Sequence, residues 1–185
     1  MKVVVLSGTP KHEGLSVSCV SAAVTGLEKA GASATVINLC ETSIGRCKVC
    51  GDGWGICREE HICAYGDDGF AEVAMKVSAA DALVIQTPVY WGETSEALKA
   101  FLDRYRRCEA LKENTALTGK EVLLIAAPGG TGNGLLTCLG QMERAVQHIR
   151  GHVFDYIGVN RWNREYKLKA IEAAAEALAS GKSTR

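Results

Sequence analysis

A chain of 185 residues, 47% of them hydrophobic, has the length of one domain and enough apolar side chains for a sizeable core. Lysine plus arginine and aspartate plus glutamate number 21 each, so no basic excess points to nucleic acid or to an anionic membrane surface. No stretch is long and apolar enough to span a bilayer, and the first residues lack a basic segment followed by an apolar one; the expectation is a cytoplasmic protein.

Val3 to Leu6 is a short β-branched and aliphatic run that reads as a buried strand, ended by Ser7-Gly8. Val17, Val20, Val24 and Leu27 then recur at helical spacing up to Gly31, and Ala34 to Leu39 reads as a second strand. The segment 45–66, rich in glycine and cysteine, breaks all periodicity and marks an insertion; segments of that kind are functional or disordered, and four cysteines argue for function. Asp67-Asp68 are placed to cap a helix carrying Phe70, Val73 and Val77. A third strand spans Leu83 to Thr87, followed by the loop from Pro88 to Glu93 and a helix with Leu98, Phe101, Leu102 and Tyr105 on its buried face. Val122 to Ala127 is the fourth strand, and the glycine-rich loop after it leads into Leu135, Leu139, Met142, Val146 and Ile149 at helical spacing. Val153 to Val159 and a last helix with Leu168, Ile171, Ala175 and Leu178 complete one domain, 1–185, without repeats or linkers.

Five strands alternating with helices predict an α/β fold, a doubly wound parallel sheet covered on both faces. Ligands of such sheets bind beyond the carboxyl ends of the strands. Three loops of unusual chemistry fall there. The first carries Ser7, Thr9, Lys11, Ser16, Val17 and Ser18 at a helix N-terminus, which suits a phosphate; the bland alternative is a turn whose hydroxyls cap the helix. The second sets Tyr90 and Trp91 beside Pro88, Val89 and Gly92, which suits a flat conjugated ring or simple packing under a loop. The third, Pro128-Gly129-Gly130-Thr131-Gly132, allows close backbone approach. Phosphate at one end and a planar heterocycle at the other describe FMN. A dinucleotide fingerprint is missing after the first strand, and Gly181-Lys182-Ser183 has only the tail of an ATPase phosphate loop and reads as a solvated terminus.

Eight cysteines without a secretion signal argue for metal or redox chemistry rather than a disulfide scaffold. Cys19, Cys40, Cys108 and Cys138 are scattered and expected to be buried free thiols. Cys47, Cys50, Cys57 and Cys63 are clustered, and four thiolates can hold a [4Fe–4S] cluster or a tetrahedral zinc, or serve as redox-active thiols. His61 is read as an exposed loop histidine, an alternative ligand at most, and Arg161-Trp162-Asn163-Arg164 as an exposed patch suited to a subunit contact.

The loop from Ser7 to Ser18, the cysteine segment ending Cys63-Ala64-Tyr65-Gly66-Asp67-Asp68, and Thr87-Pro88-Val89-Tyr90-Trp91-Gly92 occur in that order. Together they resemble the NADPH-dependent FMN reductase group of flavodoxin-like proteins, especially its iron–sulfur flavoprotein branch. The resemblance covers nearly the whole chain. It implies a flavodoxin-like sheet of order 2-1-3-4-5 with residues 45–66 inserted after strand 2. It implies Thr9, Lys11, Ser16 and Ser18 around the FMN phosphate and Pro88 to Gly92 around the ring. Gly129 and Gly130 would lie at the ring's far side near a subunit boundary, in a homodimer or homotetramer. Two departures stand out. Thr9 and Lys11 replace the group's serine and arginine, and Lys11 keeps the charge without the bidentate fork. The branch's C-x2-C-x2-C opening is here Cys47-x2-Cys50-x6-Cys57. The expected activity is FMN-dependent oxidoreduction linked to NAD(P)H or a ferredoxin-type donor, passing electrons to a quinone, a nitro compound, another small acceptor or an iron–sulfur cluster, with no catalytic side chain. The alternatives are an FMN-binding electron carrier without a substrate of its own and a thiol- or metal-based redox sensor.

Overall fold

The computed structural model describes residues 1–181, so Lys182 and Ser183 of the terminal run lie outside the described residues. Five strands and five helices alternate: β1 (Lys2–Ser7), α1 (Leu15–Lys29), β2 (Ser33–Asn38), α2 (Phe70–Ala79), β3 (Ala82–Val89), α3 (Glu96–Glu109), β4 (Glu121–Pro128), α4 (Leu135–His148), β5 (His152–Gly158) and α5 (Arg164–Ala179). All neighbouring strands are parallel, in the order β2-β1-β3-β4-β5, as the sequence predicts.

The central strands β1, β3 and β4 are buried along almost their whole length, which is why they read as unbroken Val, Leu and Ile runs rather than alternating ones. Their side chains alternate between two cores. Val4, Leu6, Leu83, Ile85 and Leu124 face a core closed by α2, α3 and α4, where Phe70, Phe101 and Met142 pack. Val3, Val5, Val84, Leu123 and Ile125 face the other, closed by α1 and α5. Those two helices touch backbone to backbone: a Cβ on Gly26 would stand 2.1 Å from the carbonyl oxygen of Glu172. Among the described residues no helix is long and apolar enough to cross a membrane.

Four local expectations need correction. Helix α1 begins at Leu15, two residues before Val17. Pro88 and Pro128 lie inside the last turns of the β3–β4 ladder rather than in loops, with Val89 paired to Pro128. Cys40 is exposed, because a tight turn held by the Asn38 side chain (3.1 Å to the Cys40 amide) directs it outward; Cys19, Cys108 and Cys138 are buried as expected. Asp68 is not mainly a helix cap. The N-cap of α2 is Gly69, and Asp68 lies only 3.4 Å from the Phe70 amide. Its other oxygen accepts from the Gly45 amide (2.9 Å) and from Arg104.

This last contact gives a pH dependence. Burial of Asp68 works to raise its pKa, but the Arg104 guanidinium and the amides of Gly45 and Phe70 outweigh it and hold the carboxyl below its ordinary value. A carboxylate with a depressed folded pKa stabilises the fold above its unfolded pKa, near 3.9, and that contribution is lost as pH falls through the folded value. Wild-type stability is therefore expected to drop more steeply below about pH 4 than that of Asp68→Asn. Urea midpoints measured from pH 6 to pH 3 check this; parallel curves would refute it.

Candidate functional site

The three loops at the carboxyl ends of β1, β3 and β4 meet on one edge of the sheet. In the first, the chain leaves β1 with the Gly8 amide bonded to the Gln86 carbonyl (2.9 Å). Gly8 is required there: a Cβ would lie 2.4 Å from Ser95 Oγ at the start of α3. Ser7, Thr9, Lys11 and Val17 line one cleft of about 300 Å³ together with Asn38 and Glu41. Ser7 is buried, its hydroxyl donating to Gln86 Oε1 (3.1 Å), and Thr9 Oγ1 accepts from the Lys11 amide (3.4 Å). Lys11 is exposed at the cleft's rim.

Gly14 precedes α1 with φ +101° and no side chain caps the helix, so the hydroxyls do not serve as caps. The first bond of the helix runs from the Ser18 amide to the Gly14 carbonyl (2.9 Å), so the leading amides come before it. Those amides and the charge of Lys11 make an anion-favouring end. The Ser18 hydroxyl is already engaged: it donates to the Gly14 carbonyl (2.9 Å) and accepts from Arg164 Nη2 (2.8 Å). Arg164 thus begins α5 and reaches α1, while Trp162 stays exposed under the Arg161 guanidinium, 4.6 Å from its ring centre.

The second and third loops form a larger cleft of about 590 Å³, lined by Val89, Trp91, Gly92, Pro128, Gly129 and Gly130 among others. Tyr90 and Glu93 exchange backbone hydrogen bonds of 3.0 Å each around Trp91 (φ +53°) and Gly92 (φ +83°). Two positive φ values in a row define a type I′-like turn, and a non-glycine residue there is uncommon. It leaves Trp91 fully exposed (100%). A Cβ at Gly129 or Gly130 would meet nothing within 4 Å, so the absent side chains leave open room against the cleft. Tyr90 turns to a third cleft of about 440 Å³, shared with Pro10 of the first loop and with Cys40 and Ser95. Pro88 is buried in the sheet, and its carbonyl accepts from the Thr87 hydroxyl (2.8 Å). Nε2 of Gln86 and Oγ1 of Thr94, both beside these loops, are buried without a hydrogen-bond partner.

Cys47, Cys50, Cys57 and Cys63, each half-buried, line one cavity under the inserted segment. Among the described residues no three His, Cys, Asp or Glu side chains converge as ligands of a single ion. The thiols surround a shared space instead. A zinc ion draws every thiolate to about 2.3 Å from one point, whereas a four-iron cluster holds each thiolate on a different iron. His61 is half-buried with an unpartnered Nδ1, not exposed as expected, and it does not line this cavity.

Helix α3 supplies what the sequence reading missed. Arg104, Arg107 and Cys108 also line the cavity. Arg104 is 2% exposed, lies 4.2 Å from the Phe70 ring, and bonds the carbonyls of Gly45 (3.2 Å) and Tyr65 as well as Asp68. Arg107 bonds the Gly53 carbonyl and sits 4.9 Å from the Trp54 ring. Two guanidinium groups thus fasten the insertion to α3 and surround it with positive charge. Burial, then the nearby Cys63 and Cys57, pushes the Cys108 thiol up to about 12. The signal lay in Arg104 and Cys108 standing four apart, on one helix face.

A five-stranded parallel sheet of order 2-1-3-4-5 with its clefts at the carboxyl edge is the flavodoxin-like fold. The sequence model of the NADPH-dependent FMN reductase family matches residues 1–162, and the chain belongs to that family. An iron-sulfur flavoprotein of Methanosarcina thermophila is 28% identical over 173 residues, covering 88% of this chain and 83% of that one. One from Methanocaldococcus jannaschii is 33% identical over 106 residues, 57% of this chain and only 52% of that one. In structure, the NAD(P)H:quinone oxidoreductase from Methanothermobacter marburgensis superimposes with a TM-score of 0.72 at 19% identity, over 96% of each chain. RosB with a bound 8-demethyl-8-formylriboflavin-5'-phosphate does so with 0.76 at 16% identity, over 100% of this chain and 81% of that one.

Proposed function

We propose that the protein is an FMN-dependent oxidoreductase taking electrons from a reduced nicotinamide. The observation that carries this reading is the glycine-lined cleft between Trp91-Gly92 and Gly129-Gly130, on the same sheet edge as the anion-favouring end of α1. The residues fit the group: open room at Gly129 and Gly130 for a ring edge, and a cation with helix amides for a phosphate. When bound, FMN accepts a hydride equivalent and passes electrons onward in ones or twos. Lys11 and the leading amides of α1 hold the phosphate; Thr9, Ser16 and Val17 shape its surroundings. Trp91 would cover the ring in this cleft, with Tyr90 on the adjoining one, and the backbone of Val89, Gly92, Pro128, Gly129 and Gly130 would line it. No side chain is assigned as acid or base.

A second reading has its own support in the thiol-lined cavity. In it, Cys47, Cys50, Cys57 and Cys63 hold a [4Fe–4S] cluster, in keeping with relatives named iron-sulfur flavoprotein, and the protein serves as an electron carrier. A four-iron cluster exchanges electrons singly. The positive charge of Arg104 and Arg107 suits the negative charge of a thiolate-ligated cluster.

Stopped-flow mixing of the FMN-loaded protein with NADH and with NADPH separates the two. Bleaching of the flavin band by either supports the reductase; a flavin that neither reduces, beside a donor protein that does, leaves the carrier. For the site itself, Lys11→Ala combined with Ser16→Ala is expected to weaken FMN binding about 10- to 100-fold, from the 1.5–3 kcal/mol typical of a charge-assisted hydrogen bond. Fluorescence titration of the apoprotein measures this, and unchanged affinity would place the phosphate elsewhere.

A further inference from the structure

The cavity under the insertion has five thiols, not four, and the fifth comes from the domain rather than from the insertion. Cys57 and Cys63 pack against the core cluster that contains Cys108, whereas Cys47 and Cys50, called here the outer pair, do not. Cys50 is pressed by Gly55, whose Cβ would lie 3.0 Å from the Cys50 Cβ, in a chain that turns through left-handed residues at Val49, Gly51 and Gly53. This is where the spacing departs from two residues to six.

We propose that Cys108 is a ligand of the metal centre, forming its buried side with Cys57 and Cys63, and that Cys47 and Cys50 supply the remaining position between them. The proposal rests on the cluster reading above. Several observations carry it. Cys108 is 6% exposed, yet it lines the same cavity as the clustered thiols. It stands one helical turn beyond Arg104 and next to Arg107, the two residues that bind the insertion to α3. A rigid helix is the better platform for a ligand than a loop, because its side chain is held by packing on all sides. With five thiols for four positions, either outer cysteine is dispensable. Each thiol that binds iron releases its proton.

The test is anaerobic reconstitution of the full chain with ferrous iron and sulfide, reading iron, acid-labile sulfide and FMN per chain. Cys108→Ala is expected to keep its FMN and to lose at least fivefold in iron, as do Cys57→Ala and Cys63→Ala. Cys47→Ser and Cys50→Ser, each alone, are expected to keep more than half of the wild-type iron, and the double variant to lose it. Full iron in Cys108→Ala overturns the assignment. So does loss of iron in either single outer variant, which is the result of a four-thiol site and is read on protein with an unaltered core. Wild-type protein that holds FMN but takes up no iron and sulfide refutes the cluster reading, and Cys108 as a ligand with it; iron in the wild type that survives Cys108→Ala refutes the ligand assignment alone.

Discussion

Arg104→Ala is expected to destabilise the protein by about 3 kcal/mol, the lower end of what removing one partner of a buried ion pair costs. Its guanidinium holds Asp68 and the carbonyls of Gly45 and Tyr65, and its flat face rests on Phe70. With alanine there, the two carbonyls lose this donor, the Asp68 carboxylate keeps only the Gly45 and Phe70 amides, and a space opens against an aromatic ring. Because those partners lie at both ends of the cysteine segment, the insertion should come loose before the sheet does. Urea denaturation reads the stability, and limited proteolysis reads the insertion: cleavage within 45–66 should accelerate at urea concentrations where the rest of the chain stays intact. Arg104→Lys should recover only part of the loss, since an ammonium cannot present a planar fork to three oxygens. An unchanged midpoint together with unchanged cleavage would sink this account.

Gly134→Ala should be the most damaging change at the glycine-lined cleft. The residue has φ +76°, and a Cβ would stand 2.4 Å from the Gly92 Cα and 2.8 Å from its amide nitrogen. The left-handed backbone costs a non-glycine residue about 1–2 kcal/mol, and forced overpacking adds about 1–3 kcal/mol. Relief would come by pushing the Tyr90–Glu93 turn away from the start of α4, which separates the two walls of the cleft and breaks the bond from Thr137 Oγ1 to the Gly92 carbonyl (2.9 Å). The expected result is a loss of FMN affinity exceeding that of the Lys11 and Ser16 double variant, with a drop in thermal midpoint. Gly129→Ala is the control: it has open space and should cost far less. Equal effects at the two positions would show that the close approach of Gly92 and Gly134 does not set the width of the cleft.

The alternation of buried strands with amphipathic helices was legible because each element carries its own period, and the period does not depend on distant partners. The sheet order followed from the resemblance and the rule of right-handed crossovers. The loops were legible as a site because a parallel sheet sends the carboxyl ends of its strands to one edge. What escaped were residues whose meaning lies in a partner far along the chain. Asp68 looked like a helix cap because its neighbours are helical, yet its main partner is 36 residues away. Cys108 looked like a core thiol because it lies near a buried helical stripe, and burial is true of it; that the burial faces other thiols is a fact about folding. Cys40 was misread in the opposite sense: free cysteines are usually buried, yet the period of two set by buried Ile37 and Leu39 puts Cys40 on the outer side with exposed Val36.

The backbone contact between Gly26 and Glu172 has a consequence for biosynthesis. Helix α1 is made well before α5, which covers it. At roughly 5–20 residues per second, α1 waits on the order of ten seconds for its partner. Until then Ala23 and Leu27 have no partner on that side, and the Cys19 thiol is open to oxidants and alkylating agents that cannot reach it afterwards. The half of the domain built on α1 therefore closes only after translation has passed α5, and a nascent chain stalled before Arg164 would present that face to chaperones rather than to its own core.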